Sequence, residues 1–307
     1  MTSLHIQSSI QLRAKKFALV CFIACTVTAG QAHAKESSSY HIQAHRGAGS
    51  AMPENTLESF TWAWNHSVTP ECDLRTTKDG TIVCFHDANF KRVPVKISES
   101  QKNDSMEKLS LSDVQKLDVG SFRGSQFAGQ HIPTLAGIFA AMRGHPDRIL
   151  YMDFKSLKLD RLATLVRKFK VERQIIFTSE KPQHIREWKK LVPESMTLLW
   201  NRGTEEELAK KMDDLRKTDF AGITHLQIHV KVVDIKSDEP FIPSSPFLQS
   251  LGKELKAHHI VFQVFPAECT DEQAYQRLMA LGVESFATDY PELTLHAMQT
   301  FSAEQRQ

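Results

Sequence analysis

Two histidines and two carboxylates lie close together near the beginning of this sequence. His45 and His86 each follow an apolar run that predicts a short strand, and Glu71 and Asp73 lie on an extended run between them. Histidine exchanges protons near neutral pH, so the two histidines are candidates for a general acid and a general base. Each histidine taken alone is also consistent with a structural, hydrogen-bonding residue.

The spacing of Glu71 and Asp73 recurs at Asp153 and Lys155 on a later predicted strand. Side chains alternate along a strand, so Glu71 and Asp73 share one face about 7 Å apart while Cys72 faces the other way. If these faces point inward, three carboxylates converge, and each like-charge pair at about 4 Å costs roughly 4 kcal/mol at an effective dielectric of about 20. Such a cluster needs protons, cationic partners or a metal, and an all-oxygen cluster suits Mg²⁺ or Ca²⁺. The alternatives are a solvated strand face and a simple ion pair.

Arg46, next to His45, supplies a planar guanidinium that suits phosphate oxygens, although a surface ion pair is an alternative interpretation. A hard cation, Arg46, Lys155 and two histidines together indicate a phosphodiester site. The cation and Lys155 would offset charge on the phosphoryl oxygens, and one histidine would protonate the departing alcohol.

The apolar pattern predicts the elements that position these residues. Counting the hairpin that begins at Glu71 as one position, strands and helices alternate eight times over about 260 residues, which favours an α/β fold of the (β/α)8 TIM-barrel type. A doubly wound open sheet alternates similarly and stays open as an alternative. Asn55 and Glu58 have capping-box spacing at the first helix, and Asp79-Gly80 indicates a hairpin turn. The polar, irregular pattern of residues 88–130 predicts a short insertion after the second barrel strand. We call this segment the excursion and expect it to lie over the site and to have a functional role.

The N-terminus has the pattern of a signal peptide. A basic segment at residues 13–16, an apolar run at 17–28 and Ala32-His33-Ala34 predict cleavage near Ala34. We therefore expect residues 1–34 to form the signal and residues 40–300 to form the barrel domain. The run is shorter than the roughly 20 residues a membrane span needs, so we expect an exported, periplasmic or secreted protein without a stable membrane anchor. A lipoprotein signal at Cys25 is an alternative.

Composition excludes one class of partner. The first 34 residues hold three of the 38 basic side chains and none of the 36 acidic ones, so the remaining chain is close to neutral and no basic nucleic-acid surface is indicated. The cysteines after residue 34 are Cys72, Cys84 and Cys269, an odd number that argues against a disulfide framework. A Cys72–Cys84 bridge is an alternative to the simple packing role that we expect. No feature of the sequence specifies an oligomeric state.

At these residues the sequence resembles the glycerophosphodiester phosphodiesterase family. The resemblance covers essentially the whole chain after the predicted signal and is most specific from 45 to 155. Its motifs are His45-Arg46-Gly47, Pro53-Glu54-Asn55-Thr56-Leu57, Glu71-x-Asp73, Thr77-Lys78-Asp79-Gly80, His86-Asp87, Leu117-Asp118-x-Gly120-Ser121, Phe127-Ala128-Gly129, Ile132-Pro133-Thr134-Leu135, Leu281-Gly282-Val283 and Thr288-Asp289-Tyr290-Pro291.

The resemblance implies a (β/α)8 barrel that hydrolyses a small-molecule glycerophosphodiester to sn-glycerol 3-phosphate and an alcohol with one divalent cation, Ca²⁺ or Mg²⁺. It implies metal ligation by Glu71, Asp73 and Asp153, acid–base catalysis by His45 and His86, phosphate binding by Arg46 and Lys155, and substrate orientation by Glu54. Attack by water or by a hydroxyl of the substrate, through a cyclic phosphate, are both open.

Two positions depart from the family pattern. Asp153 stands where the family usually has Glu, which makes this carboxylate one methylene shorter. Val261-Phe262-Gln263-Val264-Phe265 stands where the family reads roughly Val-Trp-Thr-Val-Asn, so we expect an aromatic contact from Phe262 and a more apolar rim at Phe265. These changes bear more on a strict preference for glycerol than on the phosphodiester chemistry itself.

Two alternatives to the hydrolase accompany this interpretation. The first is a phosphodiester lyase or phospholipase D-like enzyme acting on another phosphodiester. The second is a catalytically weakened protein that binds lipid headgroups or envelope phosphopolymers. The presence of both His45 and His86 argues against a mere binding protein, because binding needs neither a general acid nor a general base.

Overall fold

The computed structural model describes residues 41–94, 97–155 and 157–304. The predicted signal peptide lies outside these residues. Ten strands are present in the described ranges: β1 (His41–Ala44), β2 (Thr69–Thr76), β3 (Ile82–Cys84), β4 (Leu150–Phe154), β5 (Ile175–Ser179), β6 (Met196–Asn201), β7 (His225–Val232), β8 (Phe241–Ile242), β9 (Val261–Pro266) and β10 (Ser285–Thr288).

Eight of these strands form a closed parallel barrel. Neighbours pair in the order β1, β10, β9, β7, β6, β5, β4, β2, and β2 pairs again with β1. The pairing of β1 with β2 aligns Gln43 with Thr69 and Ala44 with Pro70. The (β/α)8 prediction is confirmed, and the open sheet is excluded because β1 has neighbours on both sides.

Two short strands lie outside the barrel order and pair in antiparallel fashion. β3 pairs with β2 across the turn at Asp79-Gly80, as the sequence predicts, and Gly80 adopts a φ of 81° there. β8 pairs with an extension of β7 and forms a hairpin that is not among the predicted elements. The predicted excursion follows β3 and has its own buried cluster, which includes Phe85, Phe90, Val93 and Met106.

Nine α-helices lie in the described ranges: α1 (Leu57–Asn65), α2 (Leu111–Val114), α3 (Leu135–Met142), α4 (Leu159–Phe169), α5 (Pro182–Leu191), α6 (Glu205–Arg216), α7 (Ser245–Ala257), α8 (Glu272–Ala280) and α9 (Pro291–Glu304). Among the described helices, none combines the length and the apolar character that crossing a membrane requires.

The predicted cap of α1 at Asn55 is wrong. Thr56 caps the helix, and its side chain accepts a hydrogen bond from the backbone N–H of Ser59, whose hydroxyl accepts one from the backbone N–H of Thr56. Asn55 adopts a φ of 53° and is nearly fully buried, so its side chain is free to act elsewhere.

The main hydrophobic core lies between the barrel and the surrounding helices. The outward side chains of the strands pack there, including Cys72 and Phe262, because they alternate with the residues that face the barrel axis. Cys72, Cys84 and Cys269 are buried and free, which confirms the packing role expected for them.

Inside the barrel, polar side chains form a floor beneath the mouth. Gln227 donates a hydrogen bond to Gln263, which in turn donates to the hydroxyls of Tyr151 and Ser285 at 3.2 and 2.8 Å. These groups satisfy one another, so buried amides cost little here. Active sites of parallel barrels lie at the carboxyl ends of the strands, above such a floor.

Candidate active site

The predicted site residues come together at the carboxyl ends of the first barrel strands. His45 directly follows β1, Glu71 and Asp73 lie on β2, and His86 follows β3. His45, Glu71 and His86 share a cavity of about 570 Å³, and Asp73 is buried and is not part of its wall. The cavity is lined by Gln43, His45, Arg46, Glu71, His86, Asp153, Lys155, Thr178, Trp200, Arg202, Gln227, His229, Phe265 and Ala287.

Glu71, Asp73 and Asp153 form one buried cluster, in which one oxygen of each carboxylate lies within 4.8 Å of the others. The register of β2 and β4 explains it, because Asp73 is aligned with Asp153 across the pair. Asn55 fixes Asp73 from both sides: its Nδ2 donates to Asp73 Oδ2 at 2.8 Å, and its Oδ1 accepts from the backbone N–H of Asp73 at 3.0 Å.

Lys155 is the cation nearest to this cluster. Its Nζ lies 3.0 Å from Asp73 Oδ1 and also donates to Asp153 Oδ2. Burial raises the pKa of Asp73, but the charges of Lys155 and His86 and the hydrogen bond from Asn55 outweigh it and lower the pKa to about 2. The phosphate role predicted for Lys155 stays a prediction.

Glu71 lacks a comparable cation. Its Oε2 accepts the backbone N–H of Arg46 at 2.7 Å, and burial followed by the charge of Asp73 raises its pKa to about 8. Burial and the same neighbour also raise the pKa of Asp153. Three converging carboxylates therefore face a single ammonium, and their oxygens form the donor set that a hard divalent cation prefers. Glu71, Asp73 and Asp153 fit such a cation.

His45 is paired with a carboxylate from the last barrel strand. Its Nδ1 lies 2.7 Å from Oδ1 of Asp289, the residue after β10, and Phe265 packs edge-on against its ring at a centroid distance of 5.1 Å. Burial lowers the pKa of His45, but the hydrogen bond to Asp289 and the charge of Glu71 outweigh it, so the net pKa is raised. The protonated imidazolium is therefore favoured, with Nδ1 already occupied.

His86 has a different environment. Its Nδ1 bonds Asp87 Oδ1 at 2.8 Å, and its Nε2 lies 3.0 Å from Nη2 of Arg46. A guanidinium only donates, so Nε2 accepts this bond and the proton resides on Nδ1. Nε2 thus presents a lone pair to Arg46, and an acceptor at this atom is what a general base needs.

Arg46 has a strained backbone and one free donor. It adopts a φ of 54°, which turns its N–H toward Glu71, and its Nη1 donates to Glu54 at 3.2 Å. Its Nε is buried without a hydrogen-bond partner among the described residues. A buried, unpaired N–H beside the acidic cluster and both histidines is suited to a phosphate oxygen. Glu54 thus contacts Arg46 and lies one step behind the cavity wall.

Aromatic side chains line the opposite part of the cavity. The ring of His229 stacks on Trp200 at 5.3 Å and meets Phe265 edge-on at 5.1 Å. Burial lowers the pKa of His229 to about 4, so this side chain is neutral. The guanidinium of Arg202 lies 5.7 Å from the Trp200 ring.

The aromatic contact expected from Phe262 is wrong. Side chains alternate on β9, so Gln263 and Phe265 face the barrel interior while Phe262 packs toward the helices. Asn201 likewise lies on the face of β6 opposite Trp200. The expectation of an apolar rim at Phe265 is confirmed by its place in the cavity wall.

Three residues of the site have partners that the sequence does not predict: Asp87 and Asp289 lie within the family motifs without a predicted role, and Asn55 is predicted only as a helix cap. Asp289 follows a barrel strand directly, and that position was a usable signal. Asn55 was assigned to a helix cap, which concealed its contact with Asp73. Arg92, which bonds both Glu54 and Asp87, lies in the irregular excursion, and no periodicity or turn marks it.

The fold and the site are those of a phosphodiesterase barrel, and comparisons with known proteins agree. A model of the glycerophosphoryl diester phosphodiesterase family matches residues 45–293. The chain therefore belongs to this family, as the motifs around the two histidines predict, and it is an enzyme of the phosphoric diester hydrolase class.

Three relatives show the extent of the similarity. A glycerophosphodiester phosphodiesterase of Caldanaerobacter subterraneus is 24% identical over 266 residues, 84% of this chain and 97% of the relative. A lysophospholipase D of Homo sapiens is 25% identical over 292 residues, 86% and 88% of the two chains. The structure of an Oleispira antarctica phosphodiesterase in complex with the product sn-glycerol-3-phosphate superposes with a TM-score of 0.64 at 21% identity, covering 84% of this chain and 96% of that one.

Proposed function

We propose that this enzyme hydrolyses glycerophosphodiesters to sn-glycerol 3-phosphate and an alcohol, with one divalent cation and with His45 and His86 as proton carriers. The observation that carries the proposal is the pair of histidine–aspartate contacts, His45–Asp289 and His86–Asp87, on the strands that flank the acidic cluster of β2. The names of the relatives support the substrate class.

The chain's own residues divide the chemistry. Glu71, Asp73 and Asp153 would hold the divalent cation, which when bound supplies Lewis-acid stabilisation of charge on the phosphoryl oxygens. The free Nε of Arg46 binds a phosphate oxygen and places phosphorus between the two histidines.

The environments of the histidines assign their roles. His45, whose pKa is raised, donates the proton of Nε2 to the departing alcohol, and Asp289 stabilises the imidazolium before the transfer. His86 accepts a proton at Nε2 from the attacking hydroxyl once Arg46 turns from it to the phosphate. Analysis of the early products separates attack by water from attack by a substrate hydroxyl, which would release a cyclic phosphate.

Ion dependence tests the proposal. Purified protein is given glycerophosphocholine with EDTA and then with Mg²⁺ or Ca²⁺, beside Asp153→Asn and, as a matched control, the exposed Asp160→Asn. We expect one of the ions to restore release of glycerol 3-phosphate after EDTA. We also expect Asp153→Asn to lower apparent metal affinity or activity about 10- to 100-fold and Asp160→Asn to leave both unchanged. Full activity in EDTA would contradict the cation, and headgroup binding without turnover would indicate a binding protein.

A second candidate substrate is a lysophospholipid cleaved on the alcohol side of its phosphodiester. The wall formed by Trp200, His229 and Phe265 favours it, because aromatic faces bind apolar groups and quaternary ammonium groups better than hydroxyls. The name of the human relative supports it. Turnover of lysophosphatidylcholine, with a kcat/KM above that of glycerophosphocholine, would establish this preference.

We further propose that the chain is exported and cleaved near Ala34, as its basic segment, apolar run and Ala32-His33-Ala34 indicate. Expression of the full chain in a bacterium, followed by fractionation and mass spectrometry of the N-terminus, tests this. We expect a mature N-terminus at Lys35 outside the cytoplasm; an intact N-terminus in the cytoplasm would contradict it.

A further inference from the structure

Arg92, at the beginning of the excursion, joins two carboxylates that the catalytic side chains also contact. Its Nε and Nη2 donate to Asp87 at 2.8 and 2.9 Å, and its Nη1 and Nη2 donate to Glu54 at 2.6 and 2.7 Å. The side chains of Glu54 and Asp87 are 13% and 19% exposed, while that of Arg92 is 43% exposed. Arg92 therefore covers both carboxylates from the solvent side.

These bonds complete a ring of five side chains. Asp87 bonds His86 Nδ1 at 2.8 Å, His86 Nε2 bonds Arg46 Nη2 at 3.0 Å, and Arg46 Nη1 bonds Glu54 at 3.2 Å. Arg92 then links Glu54 back to Asp87. Arg46 follows β1, Glu54 precedes α1, and His86 and Asp87 follow β3. Arg92 is the one member of the ring that the excursion supplies.

Buried neighbours hold the backbone around Arg92 in place. Phe90 and Val93 are 0% and 1% exposed within the buried cluster of the excursion, so the guanidinium is presented to the site from a packed base. The planar fork of arginine matches two carboxylates at once, whereas an ammonium does not. The arrangement gives both carboxylates defined orientations.

We propose that Arg92 is a positioning residue for the phosphodiesterase reaction. It holds Asp87 against His86 and Glu54 against Arg46, and so sets the spacing of the base and the phosphate-binding guanidinium without touching the substrate. This role rests on the function proposed above. Through Arg92, the excursion would also hold in place the side of the site that contains His86.

Such a role affects rate more than stability. Half-exposed ion pairs contribute little to the free energy of unfolding, because water screens them and their side chains lose conformational freedom. A displacement of about 1 Å in a catalytic group, by contrast, can lower the rate about 100-fold. The consequence of losing Arg92 is therefore a lower kcat in a folded protein.

The test compares Arg92→Met, Arg92→Lys and the neighbouring exposed Lys91→Met, with glycerophosphocholine and the activating ion. We expect Arg92→Met to lower kcat about 10- to 100-fold with KM within about threefold and an unchanged melting temperature. Arg92→Lys should recover part of that loss, and Lys91→Met should match wild type. Asp87→Asn and the double variant with Arg92→Met complete a cycle, in which the double loss should be smaller than the product of the single losses.

A kcat for Arg92→Met within twofold of wild type overturns the role. So does a loss with a lowered melting temperature that Arg92→Lys does not recover, or a double variant whose losses multiply. A wild-type protein that releases no glycerol 3-phosphate with either ion refutes the proposed function instead, because the variants then have no activity to compare.

Discussion

The two histidine–aspartate pairs contain the same groups in two different environments. His45 lies beside Glu71 and takes its carboxylate from β10, whereas His86 takes its carboxylate from the next residue and meets the guanidinium of Arg46. The pKa of His45 is thereby raised, whereas His86 accepts a hydrogen bond from Arg46 at Nε2. The difference teaches that two similar pairs can be distinguished by their neighbours, which is the basis on which we propose different proton-transfer roles for them.

The largest expected effect comes from removing each histidine in turn. His45→Ala and His86→Ala should each lower kcat/KM on glycerophosphocholine about 100- to 10,000-fold. On bis(p-nitrophenyl) phosphate, His45→Ala should lose far less, because nitrophenolate departs without a proton, while His86→Ala should lose as much as before. Spectrophotometric assays of both substrates check this. If His45→Ala and His86→Ala lost equal activity on each of the two substrates, the assignment of one histidine as acid and the other as base would be wrong.

A smaller effect is expected from Asp289→Asn, which removes the charge that favours protonated His45. The general acid must be protonated, so activity falls as the pH rises through its pKa. Burial lowers the pKa of His45, and the carboxylate of Asp289 raises it. Because Asp289→Asn removes that carboxylate, the pKa of His45 should fall and the alkaline limb of kcat/KM should move to lower pH. A pH–rate profile from pH 5 to 10 measures the shift. A limb that stays in place, or moves upward, would show that Asp289 does not set the charge of His45.

The smallest effect is expected from Phe265→Asn, which replaces the ring that packs edge-on against His45 with the amide usual in the family. We expect kcat/KM on glycerophosphocholine to change within about tenfold and the ratio of lysophosphatidylcholine to glycerophosphocholine turnover to fall. Loss of an aromatic contact of roughly 1 kcal/mol gives a change of that size. An unchanged ratio would show that the apolar rim does not select the substrate.

Sequence alone predicted the barrel and the group of residues at its mouth, because strand periodicity and the positions of side chains at strand ends are local properties. Glu71 and Asp73 were placed on one face by alternation, and the pairing of β2 with β4 brought Asp153 to them. The chemistry expected of the cluster followed from its oxygen donors.

The partners of the catalytic groups could not be predicted in the same way. Asp289 reaches His45 across 244 residues, and Arg92 reaches Glu54 across 38. Such contacts depend on the closed order of the barrel and on the path of the excursion, neither of which leaves a local pattern. At Asn55 a local pattern was present but misleading. Its spacing from Glu58 indicated a helix cap, whereas its side chain bonds Asp73.

The pairing of β1 with β10 also has a kinetic meaning. His41–Ala44 align with Ser285–Thr288, so the first and last strands close the barrel over the greatest sequence separation in the sheet. Contacts between distant segments form late, because the chain must first lose the entropy of a long loop. Since Asp289 follows β10 directly, the carboxylate that pairs with His45 reaches the site only when the final strand docks. The contact between His45 and Asp289 therefore forms only in a chain whose barrel the final strand has closed.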